Sequence, residues 1–268
     1  MVNAYQADWN PQQYSKFAAE RAQPFHDLLA LVTPCVFERG VDLGCGTGEL
    51  TALAASQLQV REMSGVDSSP AMLAVADQYT SDALRFVQED IANWTGNGVK
   101  FDLILANASL QWVPDHAAVL TRWISGMCTG GQIAVQIPDN AAQPSHTVIT
   151  EVAHLGRFAE AFGEPGPPED PVAANVLEVE EYATLLHDLG CTRQHVRLQV
   201  YPHVLDNSRS VVDWVRGTTL NRFRTVLDEA TLAAFVAEYE RRLIAMIGEH
   251  QPYFFPFRRI LMWGRFDV

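Results

Sequence analysis

The segment Val41-Asp42-Leu43-Gly44-Cys45-Gly46-Thr47-Gly48 places three glycines at alternate positions directly after an apolar strand end. Glycine has no Cβ, so it takes positive φ and lets another molecule come close to the backbone. Three of them together mark a contact surface for a ligand. A dinucleotide fingerprint needs its third glycine three residues after the second, and here that position is Glu49. A pyrophosphate is favoured at a helix N-terminus, where Glu49 would oppose it. An acidic turn flanked by Asp42 instead suits a nucleoside carrying cations. S-adenosylmethionine, with its sulfonium and ammonium groups, is such a ligand.

Two further carboxylates narrow the ligand. Asp67 closes the short run Glu62–Asp67, and Asp90, followed by Ile91, closes Leu84–Asp90. A carboxylate about 20 residues beyond the glycines of a βαβ unit accepts from ribose hydroxyls. One at the next strand end could accept from an adenine amine while Ile91 covers the ring. Either Asp alone would read as a helix cap or loop residue. Both at successive strand ends fit the edge where open α/β sheets bind ligands.

These residues need a sheet to hold them. Apolar spacing from Tyr14 to Leu29 predicts an amphipathic helix over residues 11–32. Alternation then predicts strands at 39–43, 62–67, 84–88, 101–106 and 131–137, with helices at 49–58, 70–79 and 116–127, the last stopped by Thr129-Gly130-Gly131. This order argues for a parallel sheet with right-handed crossovers. A helix at 179–189, a strand at 192–203, helices through 208–249 and a strand at 258–266 follow. The reading is one domain comprising an N-terminal cap helix (1–35), a cofactor-binding core (36–138), a helical insertion (139–177), segments 178–205 and 253–268 completing the sheet, and a helical lid (206–252).

Composition sets the partners. With 19 basic and 32 acidic residues the net charge is −13, which repels nucleic acid and anionic membranes. No apolar run of 18 residues could span a membrane. The polar stretch Met1 to Pro11, carrying Asp8, is no secretion signal. Four scattered cysteines without a C-x-x-C pair suggest neither zinc nor a redox dithiol, and read as reduced thiols of a cytoplasmic protein.

The glycine motif, the two strand-end acids and the order of elements resemble the class I S-adenosylmethionine-dependent methyltransferases over about residues 36–138 and 178–268. Asp8-Trp9-Asn10-Pro11 with Tyr14, Phe17-Ala18-Ala19-Glu20-Arg21, Ala106-Asn107-Ala108-Ser109-Leu110-Gln111-Trp112 with Pro114-Asp115-His116, and Gln136-Ile137-Pro138-Asp139-Asn140 with Pro144-Ser145-His146 extend the likeness nearly end to end, toward the trans-aconitate methyltransferase branch. The resemblance implies a seven-stranded Rossmann-like sheet with helices on both faces and its last strand antiparallel. It also implies methylation of one carboxylate of a small polycarboxylate. Gly44, Gly46 and Gly48, with Asp42 and Cys45 in the same turn, would line the cofactor. Asp67 and Ser68 would hold the ribose, Asp90 and Ile91 the adenine, and the Asn107 carbonyl the ammonium.

A carboxylate is ionised at neutral pH, so no general base is needed and the catalytic residues should be clamps. Arginine is the best partner for a carboxylate. The candidates are Arg21 on the apolar side of the first helix, Arg259 opening the last strand, Arg258 beside it, and His146 after strand five. Arg222 and Arg224 read first as exposed helical arginines. Trp9, Tyr14 and Trp112 could wall the site with aromatic faces suited to a sulfonium. One departure bears on the acceptor: where other members carry Gly-Leu-Arg-Pro, this chain has Thr219-Leu220-Asn221-Arg222. The alternatives are another carboxylic acid, a malonyl-carrier protein, or a non-catalytic binder of the same cofactor. An NAD-dependent oxidoreductase is disfavoured by Glu49.

Overall fold

The computed structural model describes residues 18–267, with side chains from residue 22 onward. Trp9, Tyr14 and residues 11–17 of the expected first helix lie outside this range, as does the side chain of Arg21. The elements are α1 (Ala18–Leu29), β1 (Arg39–Leu43), α2 (Glu49–Gln57), β2 (Glu62–Asp67), α3 (Pro70–Ala76), β3 (Leu84–Gln88), β4 (Phe101–Asn107), α4 (His116–Ser125) and β5 (Met127–Pro138). There follow α5 (Pro144–Ala153), α6 (Gly156–Phe162), α7 (Pro171–Asn175), α8 (Val179–Asp188), β6 (Arg193–Leu205), α9 (Ser210–Arg216), α10 (Glu229–Ile247) and β7 (Tyr253–Phe266). None of the described helices is long and apolar enough to cross a membrane.

The seven strands form one sheet in the order β3-β2-β1-β4-β5-β7-β6. β1 pairs in parallel with β2 and β4, β2 with β3, and β4 with β5, whereas β7 runs antiparallel to β5. Leu103, Ile104, Leu105 and Ala106 of β4 are fully buried, as a continuous apolar run in a sheet covered on both faces should be. The strand order reverses at β1, which defines a switch point at the carboxyl ends of β1 and β4, where ligands bind in sheets of this kind.

Local chemistry sets the boundaries. Ser69 caps α3 by accepting from the Met72 N–H at 3.3 Å, with Pro70 at the first helical position. Gly190 takes φ +88° after α8, the left-handed stop that glycine provides. Thr129-Gly130-Gly131 behaves differently from expectation. α4 ends at Ser125, and the three residues lie inside β5, where Gly130 at φ +82° loops chain out of the ladder. Phe101 therefore pairs with Met127 but Leu103 with Gln132. β7 begins five residues before the expected Arg258, because the aromatic run Tyr253–Phe257 is already extended despite Pro256.

The described residues fall into two compact units. The first comprises Ala18–Asp139, Asn175–Gln199 and the chain from Arg258 onward, and holds the parallel strands. In the second, Asn140–Ala174 joins Val200–Phe257. Its core packs Phe158, Phe223 and Phe235, the last two with ring centroids 4.7 Å apart.

Candidate functional site

In the first unit the glycine turn leaves the carboxyl end of β1 with Gly44, Gly46 and Gly48 at φ +84°, +55° and +76°. The three do different jobs. A Cβ on Gly44 would lie 2.2 Å from the Ser109 Cβ, and one on Gly48 would lie 2.7 Å from the Phe86 ring. Those two allow chain to pack on chain. A Cβ on Gly46 would meet nothing within 4 Å, so its bare face fronts open space. The turn is pinned by Gly44 and Cys45 N–H groups donating to the Val66 carbonyl at 2.7 and 3.0 Å. The Gly46 N–H donates to the Asp67 carboxylate at 2.9 Å. Burial pushes the Cys45 thiol well up, so it stays protonated and unreactive beside the turn.

Asp42 lies beneath this turn. One carboxylate oxygen accepts from the Thr51 hydroxyl at 2.6 Å, while the other is buried without a partner among the described residues. Burial, reinforced by the charge of Asp67, pushes its pKa up to about 6 against the pull of the Thr51 bond. Asp67 at the end of β2 accepts from Gly46 and Ser69 N–H groups, and burial raises its pKa also. Ser68 beside it is exposed. Asp90 is an exposed residue two positions past β3, where it accepts from the Ala92 N–H and the Asn93 amide. Ile91 next to it is buried.

Asp42 supplies a prediction with a definite sign. Its raised pKa means that between about pH 4 and pH 6 the folded chain keeps a proton that the unfolded chain has released. Stability therefore falls as pH rises through that window and stays lower at neutral pH. Asp42→Asn is expected to stabilise the protein by about 2–3 kcal/mol at pH 7.5, and hardly at all near pH 4. Denaturant unfolding at the two pH values checks this, and equal stabilisation at both would refute it. A carboxylate kept at such cost is a functional candidate.

The wall of the site is built after β4. Asn107, at the strand end, has a buried side-chain oxygen without a partner among the described residues. Ala108 then takes φ +54°, a conformation that non-glycine residues seldom adopt outside constrained sites. Ser109 closes back on β1, its hydroxyl donating to the Leu43 carbonyl at 2.6 Å. The chain finishes in a single 3-10 turn, Leu110–Trp112, which presents the half-buried Trp112.

Asn107 pairs in register with Gln136 of β5, and Pro138 pairs with Arg259 of β7. Arg259 is buried, and its Nη1 donates to Gln136 Oε1 at 3.0 Å. Gln136 was not among the residues singled out for a role in the sequence. Its motif was visible, but only the cross-strand register shows that it holds Arg259. Arg259 does not open the strand as expected; it is the seventh residue of β7. Arg258 faces a different partner, Asp139, at 2.6 Å.

In the second unit His146 is buried on α5. One ring nitrogen lies 3.1 Å from the Ser145 hydroxyl and the other 3.1 Å from the Thr219 hydroxyl. Burial pushes its pKa down to about 4, so the ring is neutral. Arg222 contradicts the expectation of an exposed helical arginine. It is 6% exposed on the 3-10 turn Thr219–Phe223 and lies 3.6 Å from the buried Asp170. Arg224 is exposed. The turn winds three residues per revolution, and both Asn221 and Arg222 are buried on it. Among the described residues no group of His, Cys, Asp or Glu could hold a metal ion.

The chain is similar to known proteins over most of its length. A family model described as a methyltransferase domain matches residues 41–131. The chain is 40% identical over 250 residues to the trans-aconitate 2-methyltransferase of Delftia acidovorans, covering 90% of this chain and 91% of that one. It is 38% identical over 237 residues to the enzyme of that name from Escherichia coli, covering 88% and 89%. Among solved structures, the YcgJ protein of Bacillus subtilis superposes with a TM-score of 0.63 at 16% identity, covering 92% of this chain and 99% of that one. A phosphoethanolamine N-methyltransferase of Haemonchus contortus, solved with S-adenosylmethionine, gives a TM-score of 0.54 at 14% identity, covering 92% and 53%.

Proposed function

We infer that the chain, which belongs to the trans-aconitate 2-methyltransferase family, transfers a methyl group from S-adenosylmethionine to one carboxylate of trans-aconitate and leaves a monomethyl ester. The bare face of Gly46 offers the adenosyl moiety a place against the backbone. The unpartnered oxygens of Asp42 and Asn107 are acceptors of the kind an ammonium group requires. The residues present therefore fit the cofactor.

The cofactor, when bound, supplies an electrophilic sulfonium methyl: an O–CH3 bond forms as the S–CH3 bond breaks, and the electron pair of that bond returns to sulfur as a thioether. What remains for the protein is placement. The acceptor carboxylate is already ionised at neutral pH, so no side chain has to move a proton, and neutral His146 is not required as a base. Orientation of the reacting atoms can account for roughly 7–11 kcal/mol of barrier lowering.

The observation that carries the acceptor half of this reading is Arg259. A buried guanidinium, held by Gln136 in register with Asn107, lies along the sheet edge that carries the cofactor residues. In a chain of net charge −13 a polyanion needs such a local cation, and a planar guanidinium matches a carboxylate two bonds at a time. Asp67, Ser68, Asp90 and Ile91 take the ribose and adenine roles in the same reading, and Trp112 walls the methyl path.

Incubating the pure protein with methyl-labelled S-adenosylmethionine and trans-aconitate should yield a base-labile labelled ester. Label transfer to other di- and tricarboxylates but not to trans-aconitate would keep the reaction and overturn the acceptor.

A further inference from the structure

We propose that His116 and Tyr182 are positioning residues for the cofactor site: they fix the Leu110 carbonyl and, through it, the Asn107–Trp112 wall. The proposal rests on the assignment of that wall to cofactor binding. His116 is 2% exposed and Tyr182 fully buried. The Tyr182 hydroxyl oxygen lies 2.6 Å from His116 Nδ1, and His116 Nε2 lies 2.9 Å from the Leu110 carbonyl oxygen. The Leu177 backbone N–H donates to the same hydroxyl oxygen at 3.3 Å.

The proton positions follow from the two ends of this chain. A carbonyl only accepts, so His116 Nε2 carries the hydrogen. In a neutral ring Nδ1 is then an acceptor, so the Tyr182 O–H must donate to it, and the hydroxyl oxygen is left to accept from Leu177. Burial lowers the His116 pKa, which keeps the ring in this neutral form. Every bond thus runs the same way along the chain of partners, from Leu177 through Tyr182 and His116 to Leu110. The Leu110 carbonyl also accepts from the Val113 N–H at 3.0 Å, so both its lone pairs are taken.

The turn at Leu110–Trp112 is too short to hold itself. A second tie runs parallel to the first, with the Asn175 amide donating to the Gln111 carbonyl at 2.9 Å. Two successive carbonyls of the wall are thus held by residues 175–182 of the same unit, far along the chain from the wall itself. On the near side, Ser109 is already committed to Leu43 and to the space left by Gly44. A shift of Leu110 therefore has nowhere to be absorbed except at Ala108, already at φ +54°, and at Asn107. His116 and Tyr182 touch neither cofactor nor acceptor in this account; they act through the wall.

Glutamine and asparagine at position 116 separate the two halves of the network. A Gln side chain can bring an N–H to the place of Nε2 and keep the bond to Leu110. An Asn side chain reaches only the place of Nδ1, keeping Tyr182 and losing Leu110. Calorimetry with S-adenosylhomocysteine, which needs no acceptor, is the primary measurement, with melting temperature recorded beside it. His116→Asn is expected to weaken binding on the order of tenfold or more, and kcat with trans-aconitate by a similar factor. His116→Gln is expected to recover most of both although the two variants melt alike, and Tyr182→Phe, the mildest change, to fall between them. If His116→Asn and His116→Gln bind alike, or if affinity merely follows melting temperature across all three, the positioning role is wrong. If the wild-type protein binds no S-adenosylhomocysteine, the cofactor reading itself has failed.

Discussion

Replacing Arg259 with glutamine is expected to raise the KM for trans-aconitate by about a hundredfold or more, with binding of S-adenosylhomocysteine left within about twofold of wild type. The size follows from burial. A charge-assisted bond to an exposed arginine is worth little, but truncating one partner of a desolvated charge pair costs about 2–5 kcal/mol. Arg259 is 5% exposed and braced by Gln136, so water cannot substitute for it. Arg259→Lys is the sharper control, since it keeps the charge and loses the planar fork. It should recover only part of the affinity. Loss of cofactor binding in parallel with acceptor binding would show that Arg259 supports the fold rather than the acceptor, and unchanged acceptor KM would remove it from the site.

Gly46→Ala should abolish cofactor binding while the protein stays folded, and Gly44→Ala should do the reverse damage, to the fold. The two glycines are two residues apart in one turn, both with positive φ. An alanine at either pays about 1–2 kcal/mol for the left-handed conformation. Beyond that cost they differ. At Gly46 the added methyl meets nothing of the protein within 4 Å, whereas at Gly44 it would sit 2.2 Å from the Ser109 Cβ. No rotamer change relieves a clash with a Cβ, so the Gly44 turn and the Ser109 wall must separate. Calorimetry and thermal melting on both variants test the contrast. Normal S-adenosylhomocysteine binding by Gly46→Ala would mean that the open space before it belongs to no ligand.

The parallel half of the sheet was legible because each signal was local. A strand end, three glycines and a helix start are written consecutively from Val41 to Glu49, and Asp67 and the strands through β4 follow with the expected period. Thr129-Gly130-Gly131 misled because glycine at positive φ ends a helix and loops out a strand with equal ease. Only the pairing of Phe101 with Met127 and of Leu103 with Gln132 separates the two. Arg222 was misread for a related reason: its flanking residues suggested a solvated helix, but its burial depends on Asp170, more than fifty positions earlier. Neither Gln136 nor the pair His116 and Tyr182 stands out in the sequence, because what each side chain holds is brought to it by the fold. A glutamine in an apolar strand, or a histidine at a helix start, carries no local mark of what it holds.

The sheet order has a consequence for how the protein is made. Among the described residues β6 has β7 as its sole neighbour in the sheet, and β7 lies between β6 and β5. A growing chain can therefore assemble β1 to β5 as each emerges, but β6, once synthesised, lacks its own partner in the sheet until two more helices and β7 have followed. During that interval β6 is an unpaired strand, and Leu198, Val200 and Val204 on it stay exposed even in the folded sheet. Arg193, Arg197 and Pro202 lie along the same strand, and charges and proline are the residues that keep an open edge from pairing with the wrong chain. The composition of β6 thus suits a strand that has to wait.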